Sequence, residues 1–215
     1  NNLMDYNYQD GVKIICNSMV KNDEMLEYIN PDILVFTDSV FHFGASEYSE
    51  KFANDILKVV KKYKVFCITN EVGCALLKAH YDELDEYLIA VPAKRFGKPV
   101  ILNSECFSTR DYANVLTRYM LPLAAGLSDE INLIGFDGRK PDEGYFWNHN
   151  KTTQYTDNMD STKLTHPAFF RDVNYEGYYE GHCRNLEIIF NQFERQNKKF
   201  NVLSNTYIPA MIERQ

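Results

Sequence analysis

Gly11-Val-Lys-Ile-Ile-Cys-Asn-Ser18, then Asn22-Asp-Glu-Met-Leu-Glu-Tyr-Ile29, then Asp32-Ile-Leu-Val-Phe-Thr-Asp-Ser39 is the stretch that decides the fold. The first and third segments are compact β-branched runs that halt on small polar residues. The middle one carries a capping Asn22, early acids and helical spacing, and Asn30-Pro31 stops it. Two strands joined by a short helix make a βαβ unit, and such units imply a parallel sheet. Working outward, Ser46 to Lys62 reads as an amphipathic helix on Tyr48, Phe52, Ile56, Leu57 and Val60, with acids early and lysines late. Lys64 to Thr69 is a third strand, and Glu71 to His80 a short helix. Residues 81–107 show little pattern beyond a candidate strand at Pro99–Leu102. Arg110 to Ala125 predicts a buried helix, kinked or restarted at Pro122 and ended by Gly126. Ile131-Asn-Leu-Ile-Gly-Phe136 is a further strand, Arg184 to Gln196 a helix on Leu186, Ile189, Phe190 and Phe193, and Phe200–Leu203 the last strand. The fold class expected is α/β: a Rossmann-like, mostly parallel twisted sheet with helices on both faces.

Composition sets limits on function. The 215 residues suit one α/β domain, or one domain with an inserted lid, and 45% are apolar, enough for a sizeable core. A net charge of −7 with no Lys/Arg cluster argues against a nucleic-acid partner. The five cysteines, 16, 67, 74, 106 and 183, are scattered, without a Cys-x-x-Cys pair, so a disulfide framework or zinc ribbon is not indicated. A reducing, cytoplasmic setting is expected, with peripheral contact to the inner face of a membrane and self-association left open. No apolar run reaches the length of a membrane span.

Between Asp137-Gly138 and Gly181-His182 lies a long stretch rich in aromatics, with Tyr145, Trp147, Tyr155, Phe169, Phe170, Tyr175, Tyr178 and Tyr179. Three of the five histidines, His149, His166 and His182, fall here. Disordered segments are poor in aromatics, so the stretch reads as a lid over a site. The organisation expected is a nucleotide-binding core over 1–137, a lid over 138–181, and a helix and strand over 182–215 that complete the core.

Small polar residues recur where strands end: Asn17-Ser18, Asp38-Ser39, Thr69-Asn70, Asp137-Gly138 and Ser204-Asn205. Turn chemistry alone accounts for any one pair. Five at the carboxyl edge of a parallel sheet, where α/β proteins bind ligands, suggest a nucleotide-sized polar rim. Gly-x-Gly-x-x-Gly and the Walker lysine loop are both absent from the sequence, leaving classical dinucleotide and NTPase readings unsupported.

The order of these features resembles the bacterial CMP-sialic-acid sialyltransferases of the small single-domain α/β type, and the related domains of flagellin-modifying motility accessory factors. The resemblance runs along nearly the whole chain on Cys16-Asn17, Val35-Phe-Thr-Asp-Ser39, Gly135-Phe-Asp137, Tyr145 and Gly181-His182. It implies a GT-A-like sialyltransferase variant whose donor is held by Asn17, Asp38, Ser39, Gly135 and Asp137. His182 would be the general base. Tyr145 and Arg139 would stabilise the departing phosphate, with Arg139 standing where the family has a first tyrosine. The family opens on a strand with an Asn-Gly-Pro-Ser phosphate loop. Residues 1–4 here correspond to the positions just after that loop, so the loop either precedes Asn1 or is missing. The implied activity is inverting, metal-independent transfer of an acidic sugar from a CMP-activated donor to a surface-glycan or glycoprotein acceptor. No cofactor is called for beyond the CMP-sugar, which is the substrate.

Other readings stay open on the residues alone. Asp38, His42, His149, His166 and His182 offer oxygen and nitrogen ligands for a metal-dependent hydrolase, although no His-x-His or His-Glu-x-x-His spacing appears. A non-catalytic nucleotide- or sugar-binding domain of a larger glycan-assembly protein fits the absent phosphate loop. Pyrophosphate transfer to a pterin is a third reading, drawn from the accessory-factor side of the resemblance.

Overall fold

A computed structural model of the chain describes residues 3–139, 155, 159–172 and 174–215. It is an α/β protein in which all strand pairs among the described residues are parallel. The chain forms two compact units, and each contains segments distant in sequence.

The four-stranded unit comprises Tyr8–Pro92 and His149–Val173. Its strands β1 (Ile14–Cys16), β2 (Ile33–Val35), β3 (Phe66–Thr69) and β4 (Leu88–Ala90) lie in sequence order. Cys16 stands beside Val35, and Val35 beside Ile68, so the first three carboxyl ends are level. Helix α1 (Asp23–Ile29) starts where the Asn22 side chain accepts from the Met25 N–H at 3.1 Å, and it ends on Asn30 in a left-handed conformation. Helix α2 (Ser39–Phe43) is capped by Asp38. Helix α3 (Glu47–Tyr63) is capped by Ser46, and buries Tyr48, Phe52, Ala53, Ile56, Val59 and Val60. Burying each large apolar side chain contributes about 1.5–3 kcal/mol, so this face is a principal anchor of the unit. Helix α4 (Glu71–His80) has the bounds that its sequence pattern predicts. From the later part of the chain come α6 (Met159–Thr165) and α7 (Pro167–Asp172).

The other unit comprises Asn1–Asn7, Ala93–Asn148 and Asn174–Gln215. It holds two small sheets, β5 (Ala93–Lys94) with β6 (Thr109–Arg110), and β7 (Glu130–Leu133) with β8 (Lys199–Val202). The expected strand at Pro99–Leu102 does not form. Leu102 instead donates its N–H to the Pro122 carbonyl at 3.0 Å, which ties the segment to a helix. The helix expected from Arg110 begins later, as a π-helical turn (Leu116–Met120) that continues into α5 (Leu121–Leu127). The first residue of that stretch, Arg110, is used by β6.

Helix α8 (Tyr175–Glu194) starts nine residues before the expected Arg184. The Asn174 side chain caps it by accepting from the Gly177 N–H at 3.2 Å. Glycines at 177 and 181 each cost a helix interior about 1 kcal/mol relative to alanine, which is why the sequence reads as loop there. Contacts of the first turns offset that cost: Glu176 pairs with Arg139, and the Tyr178 hydroxyl donates to the Ala113 carbonyl at 2.9 Å. Helix α9 (Pro209–Ile212) closes the chain. Among the described residues no helix is long and apolar enough to cross a membrane.

Gly126 lies within α5, and a Cβ added to it would fall on the Leu102 carbonyl oxygen, a backbone atom that cannot rotate away. Gly126→Ala is expected to lower unfolding free energy by about 1–3 kcal/mol, as overpacking does. Denaturant titration of the two proteins measures it, and an unchanged midpoint would contradict this packing.

Candidate functional site

At the carboxyl ends of β1, β2 and β3 the four-stranded unit collects a polar rim. Asn17 begins the 3-10 turn after β1 with φ +49°, and its side-chain oxygen is buried without a hydrogen-bond partner among the described residues. A buried acceptor left unmade costs about 1–3 kcal/mol, so such an atom is a candidate for ligand contact. Asp38 uses one carboxylate oxygen to accept from the Phe41 N–H at 2.9 Å. Its other oxygen lies 3.3 Å from His166 Nε2, at the α6–α7 junction.

Asn70 links these ends. Its side-chain oxygen accepts from the Gly73 N–H at 2.7 Å, capping α4, and from the Ser39 hydroxyl at 2.9 Å. Its amide nitrogen donates to the Thr37 carbonyl at 2.6 Å. The sequence marks Asn70 only as one strand end among five, and nothing local announces its reach to Thr37 and Ser39. His166 is likewise brought to Asp38 only by folding.

Behind the rim, His42 is 4% exposed, packed among Phe36, Phe41, Phe43, Tyr48 and Phe52. Burial lowers its pKa to about 4, against a smaller opposing pull from Asp38. Its Nδ1 has no hydrogen-bond partner among the described residues. Tyr155 is buried against Tyr48 and donates to an Asp55 carboxylate oxygen at 2.5 Å, while the Lys21 amine lies 5.3 Å from its ring centre. Burial first, and Asp55 second, keep this phenol protonated.

In the other unit, the loop after β7 carries Gly135, Asp137 and Arg139. The Gly135 N–H donates to the Ser204 hydroxyl at 2.8 Å, and the Asp137 carbonyl accepts from the Tyr207 N–H at 2.7 Å. The Asp137 side chain is exposed. Gly138 adopts φ +73°, and a Cβ there would press on Ile208 and the Tyr179 hydroxyl. Arg139 makes a bidentate pair with Glu176, both contacts at 2.7 Å, and its guanidinium stacks 4.8 Å from the Tyr179 ring centre. The residue expected to meet a phosphate therefore already holds a carboxylate. The Tyr179 hydroxyl also accepts from the Arg139 N–H at 3.3 Å, and burial raises the pKa of Tyr179.

His182 sits within α8, not ahead of a helix as its Gly181-His182 setting suggests. Its Nδ1 is buried and has no hydrogen-bond partner among the described residues, and burial lowers its pKa to about 4. Thus Asn17, Asp38 and Ser39 belong to one unit, and Gly135, Asp137, Arg139 and His182 to the other. Tyr145, Trp147 and His149 lie outside the described residues. Of the ligands considered for a metal, Asp38 and His166 meet. No group of three His, Cys, Asp or Glu side chains placed to hold a metal ion occurs among the described residues. Comparison with family models, with curated proteins and with solved structures gave no match.

Two outcomes are expected. Asn70→Ala removes a helix cap together with the ties to Thr37 and Ser39, and should cost about 2 kcal/mol or more by denaturant unfolding. A wild-type midpoint for that variant would show that the rim holds without Asn70. The second outcome concerns acid. His42 stays neutral in the fold well below the pH where it titrates in the unfolded chain. As pH falls from about 6.5 to about 4, the unfolded chain takes up a proton that the folded one refuses. Stability should fall over that window by an amount on the order of 2–3 kcal/mol for this residue, and His42 adds no pH dependence above it. His42→Phe should flatten that part of the stability profile. Equal slopes for wild type and variant would place the ring in a more polar setting.

Proposed function

We propose that the protein is a glycosyltransferase that moves an acidic, sialic-acid-like sugar from a CMP-activated donor to a surface-glycan or glycoprotein acceptor, by inversion and without a metal. The fold this implies is Rossmann-like, a GT-A-like sialyltransferase variant. The observation that carries the reading is the unpartnered buried oxygen of Asn17 at the end of β1, beside the β2 end that bears Asp38. An acceptor in that place suits a ribose hydroxyl or a base amino group. Asp38 and Ser39 lie at the end of the next strand, where a carboxylate and a hydroxyl suit the same sugar.

The base role falls to His182. A base must begin unprotonated, and burial keeps this imidazole neutral throughout the physiological range. The same burial makes it a weak base. An anionic donor nearby would favour the imidazolium and raise its pKa toward the working range. Arg139 has five N–H donors and uses two on Glu176, so a phosphate can be met by sharing the guanidinium or by displacing Glu176. Tyr145 would donate to the same leaving phosphate.

The test has two arms. Titration with CMP, UDP and GDP should show preference for CMP, weakened in Asn17→Ala; preference for a diphosphate would remove the donor assignment. In transfer assays His182→Ala should lose about 10²–10⁴-fold in rate with donor affinity nearly unchanged, because the base faces the acceptor. Tyr145→Phe should slow transfer and donor hydrolysis together, by about 2.7–4 kcal/mol of transition-state stabilisation. A His182→Ala protein that transfers at the wild-type rate would move the base role elsewhere, with His149 or His166 next in line.

A further inference from the structure

The unit that holds α8 contains an open cleft of about 630 Å³, separate from the residues assigned above. One wall is the α8 face that repeats at helical spacing through Ile188, Asn191, Gln192 and Arg195. The other is the Gly97–Pro99 loop with Arg110. Two hydrogen bonds fix these walls. The Gln192 amide donates to the Pro99 carbonyl, and Arg110 donates to the Gly97 carbonyl at 3.0 Å. The Arg110 guanidinium also stacks 4.9 Å from the Tyr112 ring centre, which limits its rotamers.

Among the described residues the lining contains Lys98, Arg110 and Arg195 and no carboxylate, in a chain with 30 acidic and 23 basic residues. Lys98 and Arg195 are exposed and have no ion-pair partner among the described residues, and the Asn191 amide has no hydrogen-bond partner there. Arg195 caps the carboxyl end of α8, so part of its charge offsets the helix dipole. Lys98 and Arg110 have no such duty, and the cleft stays positive. Its volume lies in the range of small-molecule sites. The half-exposed Ile188 adds an apolar patch to the same cleft.

We propose that this cleft binds a small organic polyanion, a molecule with two or more phosphate or carboxylate groups on a short carbon skeleton. Three cations around one space would leave charge unmatched against a single anionic group. The apolar patch suits the skeleton, and Asn191 offers a donor to a hydroxyl or an anionic oxygen. This site does not depend on the glycosyltransfer reading.

Calorimetric titration with fructose 1,6-bisphosphate, citrate and inorganic tripolyphosphate tests it, with glucose as the neutral probe. At low ionic strength at least one organic anion should bind, glucose should not, and the stronger of the two organic anions tells phosphate from carboxylate preference. Raising salt to about 0.3 M should weaken binding about tenfold, because the screening length then falls below the roughly 8–10 Å of 0.1–0.15 M salt. The double variant Lys98→Ala, Arg195→Ala should weaken it at least about tenfold, two charge-assisted contacts being lost. Lys61→Ala, a surface lysine of the other unit, should leave it unchanged. Affinity that is equal in the double variant, or absent for all three anions, overturns the site. Tripolyphosphate that binds more tightly than both organic anions, and ignores Ile188→Ala, overturns the assignment to an organic ligand.

Discussion

One amide side chain governs the geometry of the polar rim. A parallel strand that ends at its carboxyl edge leaves backbone groups beyond the last ladder bond, and they need partners from elsewhere. In the four-stranded unit Asn70 supplies them: it caps the next helix, satisfies the Thr37 carbonyl, and fixes the Ser39 hydroxyl. Held in this way, the turn after β2 presents Asp38 in the one orientation that caps α2 and faces His166. Whatever the rim binds, its shape is set by these contacts.

The charges of the other unit are arranged differently. Arg139 is closed into a bidentate pair and stacked on an aromatic face, so it carries no free charge toward solvent. His182 is kept neutral by burial, with one ring nitrogen unmatched. The resting state therefore has a paired cation and an uncharged imidazole. An anion at Arg139 would have to compete with Glu176 for the guanidinium.

Much of this architecture is legible in the sequence. The strands β1, β2, β3, β7 and β8 are short β-branched or aromatic runs between turn residues, and α3 and α4 carry clear caps and periodicity. The elements that escape have physical causes. Strand β4 is three residues after an acidic 3-10 turn, and β5 and β6 are two residues each, too short for a period to show. The early start of α8 is hidden by Gly177 and Gly181, whose propensity cost is met by contacts remote in sequence. Of the candidate site residues, Asn17, Asp38 and Ser39 can be placed at strand ends from pattern alone. The partners that define them, Asn70 and His166, cannot, because those contacts span from 31 to more than a hundred positions along the chain.

The π-helical turn at Leu116–Met120 reaches further than its length suggests. There the Leu121 N–H bonds to the Leu116 carbonyl, five residues back, so the helix carries one residue more than an α-helical turn needs. Leu116, Thr117, Tyr119 and Met120 of this turn are all buried. A bulge of this kind is a reversible edit. Removing one residue would restore regular winding, turn everything on one side of the cut by about 100° about the axis, and swing Arg118 away from Asp111. Descendants of this chain therefore have a one-codon route to a different set of side chains on the same helix, with its length and its connections otherwise kept.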